Sequence, residues 1–202
     1  MGVLFIDLDR FKEINDTLGH DAGDRLLQTL GERFRSAVRE RDTVARLGGD
    51  EFAILLDEIA SVNDIAGVAK KVLAALAPPF VVDGRELFVT ASIGVALYPN
   101  DGEDSSTLLK HADIAMSRAK DLGRNNYQFY SSEMSAKAFE RLTLESSLRR
   151  ALAREEFLLH YQPQIDVASG RVTGVEALLR WQHPELGLVL PNDFVPLLEE
   201  TC

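Results

Sequence analysis

Cysteine is almost missing from this sequence of 202 residues: a single one, Cys202, stands at the last position. One cysteine excludes a disulfide within the chain and fits a reducing compartment. Long apolar runs are missing too, since none approaches the roughly 20 residues of a membrane-spanning helix. The first six residues carry no basic side chain and run into Asp7, so they do not form a signal peptide. We therefore expect a cytoplasmic protein with no membrane segment here, although a longer parent protein could carry a membrane anchor.

Positive charge is scarce as well. The chain has 22 Lys and Arg against 32 Asp and Glu, which gives a net charge of −10. This balance argues against a general nucleic-acid-binding protein, because such proteins neutralise phosphates with basic residues. An anionic nucleotide ligand would need a metal ion or a local cluster of Lys and Arg. The 46% hydrophobic content is ordinary for a globular protein, and the length leaves room for one or two domains.

The most informative stretch is Arg-Leu-Gly-Gly-Asp-Glu-Phe at residues 46–52, with an apolar run on each side. Gly48-Gly49 predicts a two-residue hairpin turn with positive φ at both centres. Asp50 and Glu51 follow directly, and two carboxylates on a rigid tip suit a hard divalent cation. Acidic residues after Gly-Gly are also common in solvated turns, and the turn alone does not separate these two interpretations.

Asp7 is the second part of the argument, because it interrupts the apolar strand-like run at 3–9. A carboxylate buried there without a partner would be costly, so it must be solvated, paired or bound to metal. If the first strand lies beside the 44–56 hairpin, Asp7 converges with Asp50 and Glu51. Converging carboxylates favour metal-assisted phosphoryl or nucleotidyl transfer.

Hydrophobic periodicity predicts the elements of the first 130 residues. Helices are expected over roughly 21–40, over 65–76 and over 108–119, the last with Gly123 at its C-terminal cap. Strands are expected at 3–8, 79–83, 86–98 and 127–130, with a turn at Asp83-Gly84. This order predicts an α+β fold close to a ferredoxin-like core.

The rest of the chain has a different pattern. The sequence at residues 131–155 predicts a helix, which either connects two domains or forms the last helix of the first domain. Strands are expected at 157–165 and 171–179, joined at 168–170, and a helix is expected at 191–200, opening at Pro191.

Four motifs in order closely resemble the GGDEF domain of diguanylate cyclases. They are the stretches 7–16 (DLDRFKEIND), 19–24 (GHDAGD), 48–52 (GGDEF) and 120–125 (KDLGRN). The resemblance covers roughly residues 1–130 and implies a central antiparallel sheet flanked by helices, as in nucleotide cyclase catalytic domains. The helix and motif that precede the first strand in this family are missing, so we expect a piece of a longer protein with an upstream sensor domain.

The resemblance implies a metal site for Mg²⁺ or Mn²⁺. Asp7 and Asp50 match the metal ligands, Glu51 matches a further one, and the backbone carbonyl of Leu8 is implied as well. Asp50 also matches the acid proposed to help deprotonate the attacking ribose 3′-hydroxyl.

The resemblance also implies the substrate contacts. Guanine readers are matched by Asn15 and Asp24, whose amide and carboxylate suit the N1–H and N2–H₂ donors of guanine. We expect GTP to bind far better than ATP, because a buried Asp24 left unpaired by adenine is costly. Further matches are a substrate contact at His20 and phosphate contacts at Lys12, Lys120 and Arg124. By themselves, these residues also fit helix-end turns and helix-terminus charges.

Arg39 and Asp42 match the family's Arg-x-x-Asp inhibitory site for its product, cyclic di-GMP. Arg can bind phosphate and stack on guanine, and Asp can accept guanine N–H groups. The motif is common by chance, and its spacing to Gly48 is what supports it.

A second resemblance covers residues 142–202. Tyr161-Gln162-Pro163 and the run 176–181 (EALLRW) resemble the opening of an EAL domain, the cyclic di-GMP phosphodiesterase family. Glu176 matches a metal ligand, Arg180 a phosphate-contacting residue, and Gln162 lies in a substrate-side motif. The EAL fold is similar to a TIM barrel of roughly 250 residues, so we expect an incomplete barrel start.

These resemblances predict a GGDEF domain at 1–130, a helical connector at 131–155 and an EAL segment at 156–202. The expected function is a diguanylate cyclase that condenses two GTP into cyclic di-GMP across a homodimer. The alternative is a regulatory module that binds GTP or cyclic di-GMP and controls an adjacent EAL phosphodiesterase. The intact acidic motif favours the enzyme. We expect no phosphodiesterase activity from the EAL segment, because one carboxylate cannot hold the metals that activate water.

Overall fold

The structure is a computed structural model that describes residues 1–82 and 84–201. Asp83, in the predicted turn at 83–84, and Cys202 lie outside the described residues. The chain divides into two compact units, Met1–Ala136 and Lys137–Cys202. In chain order, the elements that begin in the first unit are β1 (Gly2–Leu8), α1 (Phe11–Leu18), α2 (His20–Ala37), β2 (Thr43–Gly48), β3 (Glu51–Leu56), α3 (Val62–Leu76), β4 (Phe80–Val82), β5 (Arg85–Leu87), β6 (Ala91–Leu97), α4 (Ser105–Asp121), β7 (Tyr127–Phe129) and α5 (Ser132–Ala151).

A five-stranded sheet in the order β2-β3-β1-β6-β7 forms the centre of the first unit. β1 pairs antiparallel with both β3 and β6, and β2 pairs antiparallel with β3. β7 runs parallel to β6, so the sheet is mixed at that edge. The expected α+β architecture is confirmed.

Both faces of the central strand are covered, which explains why β1 is an almost continuous apolar run. Val3 and Phe5 pack on one face with apolar residues of α4. Leu4 and Ile6 point to the other face and join the larger core, which also contains residues of α2 and α3. The sheet therefore holds the carboxyl end of β1 in a fixed position.

α4 lies unusually close to β6. A Cβ atom built at Gly94 would lie 1.8 Å from the carbonyl oxygen of Ala112, so only glycine fits at this point of the strand. This contact fixes α4 against the sheet and, with it, the position of the helix end that carries Lys120.

Three local predictions are corrected. The hairpin turn is formed by Gly49 and Asp50, with Gly48 paired to Glu51 at the end of β2, and positive φ occurs at Gly49 rather than at both glycines. The strand expected at 86–98 is two strands, β5 and β6. The short helix α1 is absent from the sequence-based prediction.

The second unit contains β8 (Phe157–Ile165), β9 (Val172–His183), β10 (Gly187–Val189) and α6 (Pro191–Thr201), and α5 ends within it. Its sheet has the order β10-β9-β8 and is antiparallel throughout. Trp181 and Phe194 are fully buried in its small core. The predicted hairpin and the helix beginning at Pro191 are present, and within the described residues of this unit the sheet is open rather than closed into a barrel.

Among residues 1–82 and 84–201, no helix is both long and apolar enough to cross a membrane.

Candidate functional site

Two carboxylates lie side by side at the end of the central strand. Asp7 of β1 is in register with Glu51, the first residue of β3. Asp50 precedes Glu51 at the hairpin tip, so the three acids meet at one edge of the sheet. Leu8 follows one residue beyond this pair and is in register with Ala91 of β6 on the other side. The structure thus brings together the side chains predicted to bind metal.

The charges of these acids affect one another. Burial raises the pKa of Asp7, the Lys120 contact opposes that shift, and the charge of Asp50 adds to it. Desolvation likewise raises the pKa of Glu51, and the charges of Asp7, Asp113 and Asp50 raise it further. Negative charge is therefore crowded at this edge, and each added proton or cation relieves repulsion.

Lys120 supplies the nearest positive charge. Its Nζ atom lies 2.7 Å from Oδ1 of Asp7, whose side chain is 13% exposed. Lys120 stands in the last turn of α4, close enough to the acids to oppose part of the rise in the pKa values of Asp7 and Glu51. The ammonium group therefore compensates part of the carboxylate charge.

Asp113 is a member of this acidic group that sequence reasoning missed. Desolvation raises its pKa, and the charge of Lys120 lowers it. Asp113 precedes Lys120 by two helical turns, so both residues lie on one face of α4. In the sequence, only this spacing could have pointed to Asp113. It identifies Asp113 as a site residue only when Lys120 is known to lie beside Asp7.

The acidic edge has the donor chemistry that Mg²⁺ prefers, since Mg²⁺ binds through one or two carboxylates completed by water and substrate phosphates. Within the part of the chain that the structure describes, no group of three or more His, Cys, Asp or Glu side chains is arranged to hold a metal ion. Asp7 and Glu51 lie in register at this edge, where a cation would offset the negative charge of both carboxylates. The residues therefore fit a metal ion shared with a phosphate ligand better than an all-protein metal cage.

A second set of predicted residues lies on α1 and α2. The Oδ1 atom of Asn15 is buried without a hydrogen-bond partner. The Asn15 side chain lies against Gly23 of α2, where a Cβ atom would come within 2.0 Å of Oδ1. A buried polar atom without a partner is uncommon, and an incoming ligand donor would satisfy it. Gly23 is thus a further site residue, and its place in the GHDAGD stretch was the only signal for it.

The remaining predicted substrate residues of this region are exposed, namely Lys12, His20 and Asp24. Asp24 directly follows Gly23 on α2. The expectation of a buried Asp24 is wrong for this structure, because its position on the helix directs it away from the packed face. Its carboxylate is accessible to a ligand and would become buried only beneath one.

Arg124 lies in the loop after α4, where it lines a cavity of about 590 Å³. Residues of α1, β5 and the loop at 123–125 also line this cavity, together with the buried carboxylate of Asp9. Arg124 has a φ of 63°, a left-handed conformation that is rare for a residue with a side chain. The structure thus places Arg124 beyond the end of the same helix that carries Lys120.

Arg39 and Asp42 form a compact turn between α2 and β2. Asp42 is 4% exposed, and its carboxylate accepts a hydrogen bond from the Arg39 backbone N–H at 3.0 Å. The Arg39 side chain is exposed. Arg35 donates to the carbonyl oxygens of Asp42 and Glu40 and closes the turn. Asp42 therefore shapes the loop, while the Arg39 guanidinium is the accessible group.

In the second unit, Gln162 and Glu176 are opposite each other in the β8–β9 register, and both are exposed. Arg180 lies further along β9, where its guanidinium donates to the carbonyl oxygen of Leu179 at 2.8 Å. The structure thus places Glu176 on an open hairpin.

The first unit is an α+β domain of the kind found in cyclic di-GMP signalling proteins. The chain belongs to the GGDEF family: the sequence model described as "Diguanylate cyclase, GGDEF domain" matches residues 1–126. The EAL domain model matches residues 145–202. Both recognised resemblances are confirmed.

Two proteins of Pseudomonas aeruginosa are similar to nearly the whole chain. The bifunctional diguanylate cyclase/cyclic di-GMP phosphodiesterase MucR of Pseudomonas aeruginosa is 49% identical over 98% of this chain, which spans 29% of MucR. The cyclic di-GMP phosphodiesterase NbdA of the same organism is 46% identical over 98% of this chain, which spans 25% of NbdA. The chain thus spans under a third of the length of either relative.

The crystallised GGDEF domain of YfiN (TpbB) from Pseudomonas aeruginosa has a similar fold. It is 46% identical, with a TM-score of 0.63, and the match covers 64% of this chain and 81% of that domain.

Proposed function

We propose that the first unit is a diguanylate cyclase domain that condenses two GTP into cyclic di-GMP and pyrophosphate. The observation that carries this proposal is the acidic edge, where Asp7 and Glu51 lie in register beside Asp50 and face Lys120. The name of MucR includes this activity. The name of NbdA gives only a phosphodiesterase, so the activity of this chain needs a direct test.

In the proposed reaction, the ribose 3′-hydroxyl of one GTP attacks the α-phosphorus of the other. A P–O bond forms to the 3′-oxygen, the bond between the α-phosphorus and the bridging oxygen to the β-phosphate breaks, and pyrophosphate leaves. Asp50 accepts the hydroxyl proton. A second, reciprocal transfer closes the ring, so two domains must face each other as a homodimer.

Asp7, Asp50, Glu51 and the Leu8 carbonyl are the groups that would hold Mg²⁺ or Mn²⁺. When bound, the ion supplies positive charge that stabilises the attacking and leaving oxygens. Lys120, Lys12 and Arg124 add positive charge to the phosphates, which the net charge of −10 makes necessary. Positive charge held in place before the reaction lowers its barrier without further rearrangement.

Asn15 and Asp24 are proposed to select guanine. The buried Oδ1 of Asn15 needs a donor, and guanine N2–H₂ supplies one. The exposed Asp24 carboxylate accepts from N1–H and N2–H₂, and His20 contacts the same substrate. Adenine lacks these donors, so ATP leaves Asn15 unsatisfied.

The organisation that we propose is a GGDEF domain at 1–130, a helical connector at 131–155 and an EAL segment at 156–202. We place the domain in the cytoplasm, where GTP is available, under an upstream sensor in the parent protein. The EAL segment has no phosphodiesterase activity by itself, because Glu176 stands on an open hairpin. Nucleic acid and membrane are not proposed as partners.

The test is incubation of the chain with GTP and Mg²⁺, followed by measurement of cyclic di-GMP and pyrophosphate. Product in the wild type, abolished in Asp50→Asn and in Asp7→Asn with unchanged melting temperature, supports the cyclase. Full turnover in either variant would contradict the metal assignment.

The alternative is a regulatory module that binds GTP or cyclic di-GMP without turnover. The name of NbdA, which gives only a phosphodiesterase although NbdA is 46% identical over 98% of this chain, supports this alternative. Tight GTP binding without product, together with GTP-dependent phosphodiesterase activity of a longer protein carrying the whole EAL domain, would select this alternative.

A further inference from the structure

Asp9 is a buried carboxylate that the proposed reaction does not use. It is 8% exposed and accepts three hydrogen bonds. One carboxylate oxygen accepts from the Ser92 hydroxyl at 2.7 Å. The other accepts from the Thr90 hydroxyl at 2.6 Å and from the Asn125 backbone N–H at 3.1 Å. An ionised carboxylate only accepts hydrogen bonds, so it suits a pocket formed by three donors.

These bonds join three separate segments of the first unit. Asp9 follows β1, two residues after Asp7, while Ser92 belongs to β6. Asn125 belongs to the loop after α4, next to Arg124. Asp9 therefore links the strand end that carries the acidic edge to the loop that carries a proposed phosphate contact.

The backbone around Asp9 is held in an unfavourable conformation. Arg10, Arg124 and Asn125 have φ values of 59°, 63° and 49°, in the left-handed region, which is disfavoured for arginine and tolerated by asparagine. All three residues line the same cavity as Asp9. Such a conformation persists only where the surrounding contacts enforce it, and it is typical of functional sites. The bond from Asn125 to Asp9 is one contact that enforces it.

We infer that Asp9 is a positioning residue for nucleotide binding. Through the Asn125 N–H it holds the loop at 123–126 so that Arg124 faces the phosphates of the nucleotide. Asp9 acts through Arg124 and does not touch the substrate. This inference rests on the proposed role of Arg124 as a phosphate contact.

The first test is a double-mutant cycle that measures the affinity for a non-hydrolysable GTP analogue with Mg²⁺ by calorimetry. Asp9→Ala and Arg124→Ala should each weaken binding of the analogue about tenfold. The double variant should bind the analogue no more weakly than the single variant that has the lower affinity. If the loss of affinity in the double variant equals the product of the two single losses, Asp9 acts independently of Arg124. That result would overturn the inference.

The conservative variant distinguishes position from charge. In Asp9→Asn, the amide oxygen can still accept from Asn125 while its NH₂ group donates to the Ser92 hydroxyl. We expect Asp9→Asn to keep its affinity within about twofold of the wild type. A loss as large as that in Asp9→Ala would show that the negative charge, not the position of the loop, matters. Asp101→Asn is the matched control, since Asp101 accepts from the Leu97 N–H in a loop outside the site.

Hydrogen exchange decides the question if Asp9→Ala does not fold. In the wild type, the Asn125 amide should be protected and should exchange more slowly still with the GTP analogue bound. An unprotected Asn125 amide would overturn the inference. A wild-type chain that binds no GTP would overturn the proposed function as well, whereas GTP binding that Asp9→Ala leaves unchanged would overturn this inference alone.

Discussion

Lys120 and Asp7 form an ion pair with 2.7 Å between Nζ and Oδ1, although one lies near the end of α4 and the other in the first strand. The pair joins the proposed phosphate-binding and metal-binding groups. The ammonium compensates part of the Asp7 charge, which a bound metal ion would also compensate. We therefore expect this contact to be exchanged for new ones when metal and nucleotide bind.

This exchange predicts opposite effects of Lys120→Met on two ligands. Mn²⁺ alone should bind more tightly, because no ammonium competes for Asp7. The GTP analogue with Mg²⁺ should bind about tenfold more weakly, because one phosphate contact is lost. Calorimetry measures both affinities, and Lys110→Met, at an exposed lysine of the same helix, is the control. If the affinities for Mn²⁺ and for the GTP analogue both rise or both fall in Lys120→Met, the prediction is contradicted.

Gly23→Ala should disturb guanine selection. The new Cβ atom would lie 2.0 Å from Oδ1 of Asn15 and 3.1 Å from the Phe11 ring, so Asn15 must move. We expect GTP affinity to fall about tenfold and the preference for GTP over ATP to narrow. Gly67→Ala in α3 meets nothing within 4 Å. That control should leave GTP affinity unchanged and raise the free energy of unfolding by about 0.5–1 kcal/mol. An unchanged GTP/ATP ratio in Gly23→Ala would remove Asn15 as a guanine reader.

Product feedback should depend on Arg39 more than on the local fold around it. Arg39→Ala should abolish cyclic di-GMP binding and inhibition while leaving the melting temperature nearly unchanged, because its side chain is exposed. Asp42→Ala should instead lower the melting temperature as well, because it removes the acceptor for the Arg39 N–H. The measurements are product binding by calorimetry and thermal unfolding. Inhibition that persists in Arg39→Ala would exclude this site.

The pH dependence of stability should report the crowded acids. The pKa of Glu51 is raised above its ordinary value of 4.5 in the folded protein, so its protonated form is the one that folding favours. The stabilisation from Glu51 is present below that ordinary value and is lost as the pH rises through the raised pKa. Without metal, the melting temperature of Glu51→Gln should therefore increase relative to that of the wild type as the pH rises from 4 to 7.

The control for this comparison is Glu103→Gln, which removes one negative charge from an exposed loop residue. A difference in melting temperature between wild type and Glu51→Gln that stays constant across this pH range would contradict the raised pKa of Glu51. Adding Mg²⁺ with the GTP analogue should reverse the order, because the ionised Glu51 then has a cation to bind.

Much of the architecture could be predicted from local patterns. Leucine and phenylalanine at helical spacing predicted α2, and the apolar run before Asp7 predicted β1. These features follow from short-range periodicity, which a sequence displays directly. The short helix α1 could not be predicted in this way, because it has only eight residues and follows Arg10 in a left-handed conformation.

The sequence by itself determined which chemical groups this protein presents: the acids at 7, 50 and 51, the amide at 15 and the basic residues near 120. Only the tertiary structure decided which of them meet. Strand pairing set Asp7 opposite Glu51, and the packing of α4 against Gly94 fixed the helix that brings Lys120 to Asp7. The role of Asp9 was invisible in the sequence, because its partners Thr90 and Asn125 lie 81 and 116 positions away. Contacts between distant segments depend on how the whole sheet and its helices pack, and the local spacing of residues does not reveal that packing.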